Sequence, residues 1–346
     1  MYYILNERNG KEVHDARLNT ATSNYIVNQL DLDEPAVFFS IHEPTVMIGR
    51  YQNAYAEVDQ RFLEANDIFL LRRLSGGGAV YHDMGNIMFM LTGPSEGSGQ
   101  KHFPEYSKPI LDAITSLGVE GVHASGRNDL QIGDQKFSGT SFYSTKKHFM
   151  FGATISYDLD KEVAEKVLKP NKQKLKAHRT KSVKGRMTTI KEHLPSPYNT
   201  WTTSEFRDYI VRSMFGVESI EDVKTYVLSD EDWAGIDKMV EETFNNPQWN
   251  WGTRSDFELK ETNRFKQGTF EFYADIEEGK IKRCQLLGDF FAKKDVSELT
   301  AHLEGVAFQP TQVEKSLRQH DLEDYISDLT VEQLLTLIFD EEEDEQ

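Results

Sequence analysis

The sequence predicts an α+β protein with one large domain followed by a smaller α+β domain, and three observations predict it. Short strand-like runs alternate with a few helical stretches up to Tyr157, and two amphipathic helices follow Pro195-Ser196-Pro197. A hairpin and three more helices come after "NPQWNWG" (Asn246–Gly252). The length of 346 residues exceeds a typical single domain and fits two.

The elements follow in order. "AVFFSIH" (Ala36–His42), "TVMIG" (Thr45–Gly49), "IFLLRRL" (Ile68–Leu74) and "NIMFMLTG" (Asn86–Gly93) are β-branched and aromatic runs bounded by turn residues, so they read as strands. "DLQIGDQKFSGTSFY" (Asp129–Tyr143) reads as a hairpin turning at Gly133-Asp134, with a further strand over His148–Tyr157. Helical periodicity marks Asn19–Leu30, Val58–Ala65, Pro104–Leu117 and Lys161–Leu168. "TSEFRDYIVRSMF" and "DEDWAGIDKMVEETF" open on capping residues and read as single helices. "TFEFYADIEEGKIKRCQLLG" is a hairpin, followed by helices at Ser297–Leu303, Thr311–Leu317 and Val331–Phe339. The boundary this implies separates residues 1–248 from 249–346, the second part ending in an acidic tail.

Composition narrows the function classes. A formal net charge of −18 disfavours a nucleic-acid partner, because phosphate backbones repel an acidic surface. No apolar run approaches the roughly 20 residues of a membrane helix, and Glu7 and Arg8 come too early for a secretory signal. The single cysteine, Cys284, forms no internal disulfide, which fits a reducing cytoplasm. A soluble cytoplasmic protein, monomeric, is the expectation. The charge is uneven: Lys166 to Lys191 carries ten basic residues and no acidic one, interrupted by Pro170 and Gly185 in the manner of a loop.

Two stretches point to chemistry. In "RRLSGGGAVYHD" (Arg72–Asp83), three consecutive glycines follow a strand. Bare backbone lets several N–H groups converge on an anion, and Arg72 and Arg73 add charge. Without its flanks the triplet would read as a hairpin loop. The pattern matches neither the Walker loop nor the dinucleotide fingerprint. The second stretch is "SGRNDLQIGDQKFSGTSFY" (Ser125–Tyr143). Alternation along the return strand puts Lys136, Ser138 and Thr140 on one face, either lining a pocket for an anionic, oxygen-rich group or facing solvent. Asn128-Asp129 is either a turn or the holder of a hydrated magnesium ion beside ligand phosphates.

"RRLSGGGAVYHDMGN" followed by "SGRNDL…GDQKFSG" resembles the lipoate–protein ligases of the biotin/lipoyl protein ligase superfamily. The similarity continues through "LKPNKQKLKAHRTKSVKGRMTTI", "NPQWNWG" and "GKIKRCQLLGDFF", and so covers nearly the whole chain. It implies a catalytic domain with mixed and antiparallel sheets of that superfamily's type, plus an accessory C-terminal domain. It also implies activation of lipoate with ATP and Mg²⁺ to lipoyl-AMP, then transfer to one lysine of an acceptor. The acceptors implied are the lipoyl domains of 2-oxoacid dehydrogenase acyltransferase subunits, the glycine-cleavage H protein or an H-like protein.

By the same resemblance, Arg73, Gly78, Ala79, Val80, Tyr81, Asn128 and Asp129 contact the nucleotide. Arg72, Ser75, Gly76 and Gly77 shape the lipoate loop, and Ser138 lines the lipoate site. Lys136 touches both the lipoate carboxyl and the adenylate phosphate, and Asp129 is the magnesium-proximal carboxylate. The chemistry needs such a set: a carboxylate attacking an α-phosphate brings two anions together, and fixed positive charge offsets their repulsion. The basic run corresponds to a loop that shields the adenylate from water. Its positive charge would also attract acidic acceptor domains.

Three positions depart from the family pattern: "NTATSNYI" in the first helix, Phe151 where histidine commonly stands, and Lys184 where arginine does. These leave the glycine loop and Lys136 intact and bear on substrate or acceptor choice. Three rival readings remain. A lipoyl or octanoyl transferase would use a cysteine nucleophile, but Cys284 is in the presumed accessory domain. A biotin ligase would carry a Gly-Arg-Gly-Arg type loop, absent here. A silent binding module for lipoate or lipoyl domains would have lost the lysine. His82 and His178 carry no assignment, and no zinc-type spacing occurs.

Overall fold

The computed structural model describes all residues except 31, 95–102, 127, 145–146, 170–186, 253–255 and 340–346. Most of the basic run, with His178 and Lys184, and the acidic tail therefore lie outside the described residues. The chain forms two compact units. The first is Met1–Met47, Val58–Leu71 and Val80–Asn250; the second is Ile48–Glu57, Arg72–Ala79 and Trp251–Gln346. This differs from a single cut at 248/249, because two segments of the first half, one of them the glycine loop, belong to the second unit.

The strands of the first unit are β1 (Tyr2–Ile4), β2 (Glu7–Arg8), β3 (Lys11–Glu12), β4 (Ala36–Ile41), β5 (Thr45–Ile48), β6 (Phe69–Arg72), β7 (Val80–His82), β8 (Asn86–Pro94), β9 (Val122–Ser125), β10 (Asp129–Ile132), β11 (Gln135–Ser144), β12 (His148–Ser156) and β13 (Thr225–Tyr226). β5 and β6 each run a residue into the second unit. Eight strands form one mixed sheet in the order β13-β1-β4-β8-β12-β11-β10-β9, while β6-β5-β7 and β2-β3 are small separate sheets. The helices are α1 (Ala16–Asn28), α2 (Gln60–Ala65), α3 (Phe103–Ser116), α4 (Lys161–Val167), α5 (Thr203–Phe215) and α6 (Asp230–Met239).

Local chemistry explains these helices. The Asp15 carboxylate accepts from the Arg17 and Leu18 amides at the start of α1. Reciprocal capping boxes, Thr202 with Glu205 and Ser229 with Asp232, open α5 and α6. α6 gives way to a π-helical turn over Val240–Phe244, where the sequence suggested one continuous helix. A short helix, Pro247–Trp251, stands where only a break was expected.

Each sheet face has its own company. Val37, Phe39 and Ile41 of β4, Ile87 and Phe89 of β8, and Phe151, Ala153 and Ile155 of β12 share one core with α3 (Ile110, Ala113, Ile114) and α5 (Phe206, Ile210, Val211). Helix α1 contacts β12 and supplies no side chain to that core. Phe151, one of the family departures, is buried among Phe89, Phe103 and Tyr106.

In the second unit, β14 (Leu259–Phe265), β15 (Gly268–Glu277) and β16 (Lys280–Gly288) form an antiparallel sheet. The expected hairpin is β15–β16; β14, "LKETNRF", adds a strand whose polar composition hid it. α7 (Val296–Ala301), α8 (Pro310–Leu317) and α9 (Val331–Phe339) pack on the sheet through Leu299, Val313, Leu317, Leu334 and Leu337.

Candidate active site

The glycine loop is built within the second unit. The Arg72 guanidinium is buried and donates to the carbonyls of Gly49, Arg50, Gln52 and Trp251 at 2.7–3.5 Å. Arg73 donates to Gly76 O at 2.8 Å and Gly78 O at 2.9 Å. Burial pulls both guanidinium groups down to about 10, which leaves them charged at neutral pH. Arg73 therefore braces the loop through its own carbonyls, while Arg72 ties down the carbonyls of Gly49, Arg50, Gln52 and Trp251.

A second cause for the glycines appears here. A Cβ on Gly76 would lie 2.2 Å from Phe290 O, and one on Gly77 would meet the Phe291 ring at 3.1 Å. The Gly77 amide points at Phe290 O, at 3.4 Å, and Gly77 itself adopts φ +96°, a region that favours glycine. Bare backbone is needed at these positions because the segment after β16 passes so close. Phe290 in turn stacks on Tyr51, and Asp295 pairs with Arg50 at 2.6 Å. Ser75 is buried, and its carbonyl accepts from the Arg50 amide.

Lys136 and Asp129 belong to the first unit. Lys136 Nζ lies 2.6 Å from Asp129 Oδ1, with both side chains half-buried. The local register explains the meeting. Leu130 pairs with Ser138, but Gln131 pairs with Lys136, so Phe137 is an extra residue in β11. A bulge reverses the alternation beyond it. Lys136 then shares a face with Gln131 and Asp129, while Ser138 shares the core face with Leu130.

This corrects the expectation that Lys136, Ser138 and Thr140 share one face. Ser138 and Thr140 are 1% and 7% exposed, and Thr140 pairs with the core residue Ala153. Gly139 takes the place beside the lysine: a Cβ there would sit 3.1 Å from Lys136 Nζ. Asn128 is next to Asp129 in sequence, and its carbonyl accepts from the Thr140 amide at 2.8 Å.

Val80 and Tyr81 pair with Met47 and Val46 in the β5–β7 ladder. The His82 and Asp83 side chains, given no role from sequence, have structural ones. His82 is fully buried, its Nδ1 2.7 Å from Asn86 Nδ2 and its ring tilted against His42. Asp83 accepts from the Gly85 and Asp160 amides, tying the β7–β8 turn to the start of α4.

For magnesium, the donor set is lean. Among the described residues no group of three or more His, Cys, Asp or Glu is placed to hold a metal. A magnesium ion bound chiefly through ligand phosphates needs only one or two carboxylates, and Asp129 fits that role. Cys284 is buried in the second core, donates its S–H toward Thr300 O at 3.3 Å, and has its thiol pushed up to about 12 by burial. It is no nucleophile.

A sheet carrying a lysine–aspartate pair, with an arginine-braced glycine loop elsewhere in the chain, is compatible with acyl-group activation, and comparison with known proteins gives the class as that of the lipoyl ligases. Two family models match: the lipoyl protein ligase A/B catalytic domain over residues 15–215 and the bacterial lipoate protein ligase C-terminus over residues 254–338. A lipoate–protein ligase of Streptococcus pyogenes is 36% identical over 98% of this chain and 100% of its own length. The lipoate-protein ligase LplJ of Bacillus subtilis is 32% identical over 95% of this chain and 98% of its own. The fold is shared with Plasmodium falciparum LipL1 in complex with lipoate, at a TM-score of 0.77, 19% identity, and coverage of 98% and 99% of the two chains. It is also shared with lipoate-protein ligase A bound with ATP, at a TM-score of 0.60, 20% identity, and coverage of 72% and 98%. The chain belongs to the lipoate–protein ligase family.

Proposed function

We propose that the protein activates lipoate with ATP to lipoyl-AMP and passes the lipoyl group to one lysine of a lipoyl-domain acceptor. The acceptor is an acyltransferase subunit of a 2-oxoacid dehydrogenase or an H-type protein. The single observation that carries this reading is the Lys136 ammonium, fixed by Asp129 on a sheet in a chain of this family. The relatives named above are lipoate ligases, and one solved neighbour is a Thermoplasma acidophilum ligase studied with its E2 lipoyl domain (TM-score 0.62, 21% identity).

In the first step a lipoate carboxylate oxygen attacks the α-phosphorus of ATP, and pyrophosphate leaves. Lys136 supplies a protonated point charge that offsets the repulsion and stabilises the charge developing on phosphorus. Asn128 and Asp129 serve the phosphate end, and Mg²⁺, held by Asp129 and the phosphates, would screen the triphosphate. Gly78, Ala79, Val80 and Tyr81 offer backbone to the nucleotide. Arg73 acts by holding the carbonyls of Gly76 and Gly78, and Arg72 fixes the base of the Ser75–Gly77 segment. Ser138, on the opposite face of β11 from Lys136, would line the lipoate site with its buried hydroxyl, which has no hydrogen-bond partner among the described residues. In the second step the acceptor amine attacks the anhydride carbonyl, and AMP departs.

Purified protein given lipoate and Mg-ATP is expected to release pyrophosphate. With an acceptor domain added, the domain gains the mass of one lipoyl group. Wild-type release no faster than that of Lys136→Ala would remove Lys136 from the mechanism. Transfer without ATP from a lipoylated donor would favour the transferase reading, which the buried Cys284 disfavours.

A further inference from the structure

The bulge that aims Lys136 needs something to hold it. The ladder of β11 with β12 runs only from Ser144↔Phe149 to Thr140↔Ala153, so β12 has left the strand before Lys136 is reached. Another segment takes that edge. Met187 forms a parallel bridge with Lys136, and the Thr188 amide donates to Lys136 O at 2.9 Å. Lys136 is thus held between Gln131 on one side and Met187-Thr188 on the other.

Thr188 is itself anchored. It is 1% exposed, its hydroxyl lies 2.7 Å from His193 Nε2, and it donates to Glu192 Oε2 at 3.3 Å. Glu192 accepts from Lys161 Nζ at 2.6 Å. Past Thr188, the Ile190 and Lys191 amides donate to Ser156 O and Tyr157 O at the end of β12. The segment is therefore fixed at both of its contacts with the sheet, and Thr188 sits at the contact beside the lysine.

We infer that Thr188 is a positioning residue for Lys136, its hydroxyl clamped by His193 and Glu192 so that its amide locks the bulged register of β11. A bulge has one strand residue in excess, and moving the excess by one position turns the neighbouring side chain to the opposite face. With the Lys136 carbonyl pinned by Thr188, the ammonium stays on the face of Asp129. With the pin loosened, the register at Phe137 relaxes and the ammonium leaves its place. The inference rests on the proposed role of Lys136 in adenylation, and its test separates the two.

Thr188→Val is expected to lower kcat for pyrophosphate release about 10-fold or more, as small misplacements of a catalytic group do. Any rise in KM for lipoate should not exceed that of Lys136→Ala, because on this argument lipoate loses only its contact with the lysine, and Thr188→Ser should restore the rate. The ε-methylene NMR resonance of Lys136, assigned by its loss in Lys136→Ala, should shift in Thr188→Val and return in Thr188→Ser. In the Lys136→Ala background Thr188→Val should add nothing, since the effect runs through the lysine. In the wild type, the Thr188 amide should be protected from exchange. A freely exchanging Thr188 amide, an unmoved Lys136 resonance, or a loss that adds in full to that of Lys136→Ala would overturn the inference. If Lys136→Ala itself released pyrophosphate at the wild-type rate, the assignment of Lys136 would fall, while the resonance and the amide would still decide whether Thr188 places it.

Discussion

The Lys136 ammonium lies 2.6 Å from Asp129 Oδ1, and the two residues meet only because Phe137 is surplus to the ladder of β10 with β11. The pair is a fixed cation with one carboxylate partner. Lys136→Ala should slow adenylate formation by about 10²–10³, the usual consequence of losing a preorganised electrostatic contact. Lys136→Arg should restore little, because a planar fork does not replace a compact ammonium. Pyrophosphate release at saturating lipoate and ATP measures both.

Gly76 should tolerate no side chain. The 2.2 Å approach of Phe290 O to its would-be Cβ involves main chain on both sides, so neither can yield cheaply. Gly76→Ala is expected to destabilise the second unit by about 1–3 kcal/mol, the usual range for overpacking, and to weaken lipoate binding. Denaturant unfolding and lipoate titration test this, and an unchanged midpoint would contradict it.

Burial lowers His42 from its ordinary 6.5 to about 4, so the imidazole stays neutral in the fold. The unfolded chain binds this proton first. The stability contribution is therefore complete above pH 6.5 and disappears as pH falls toward 4, by about 3 kcal/mol at most. His42→Gln should flatten the fall in urea midpoint between those two pH values.

Cys284 should ignore thiol reagents in the native protein at pH 8, since burial holds its pKa near 12. Reaction should appear only on unfolding, which makes alkylation a reporter of the second unit's opening. Fast labelling of the native chain would contradict the burial.

Much of this was visible in the sequence. The strand runs at Ala36, Thr45 and Asn86 and the hairpin at Gly133-Asp134 fall where alternation and turn chemistry place them. β14 escaped because Lys260, Glu261, Thr262, Asn263 and Arg264 offer no apolar signal. The misjudged face of Ser138 relative to Lys136 has a sharper cause. Alternation is a local rule, and a bulge is set by a partner strand, so no reading of "DQKFSG" by itself could show Phe137 in excess. Likewise, the glycine triplet advertised bare backbone but not its neighbour, because Phe290 is remote along the chain. Met187-Thr188 lay hidden at the edge of a charge run whose composition says nothing of pairing.

The placement of Arg72–Ala79 with Trp251–Gln346 bears on the order of events at the ribosome. The loop is translated long before Phe290, Phe291 and Asp295 exist to receive it. Until those residues emerge, Tyr51 has no ring to stack on and Arg50 no carboxylate to grip. The nascent enzyme should therefore gain its lysine strand early and its finished glycine loop only near the end of synthesis.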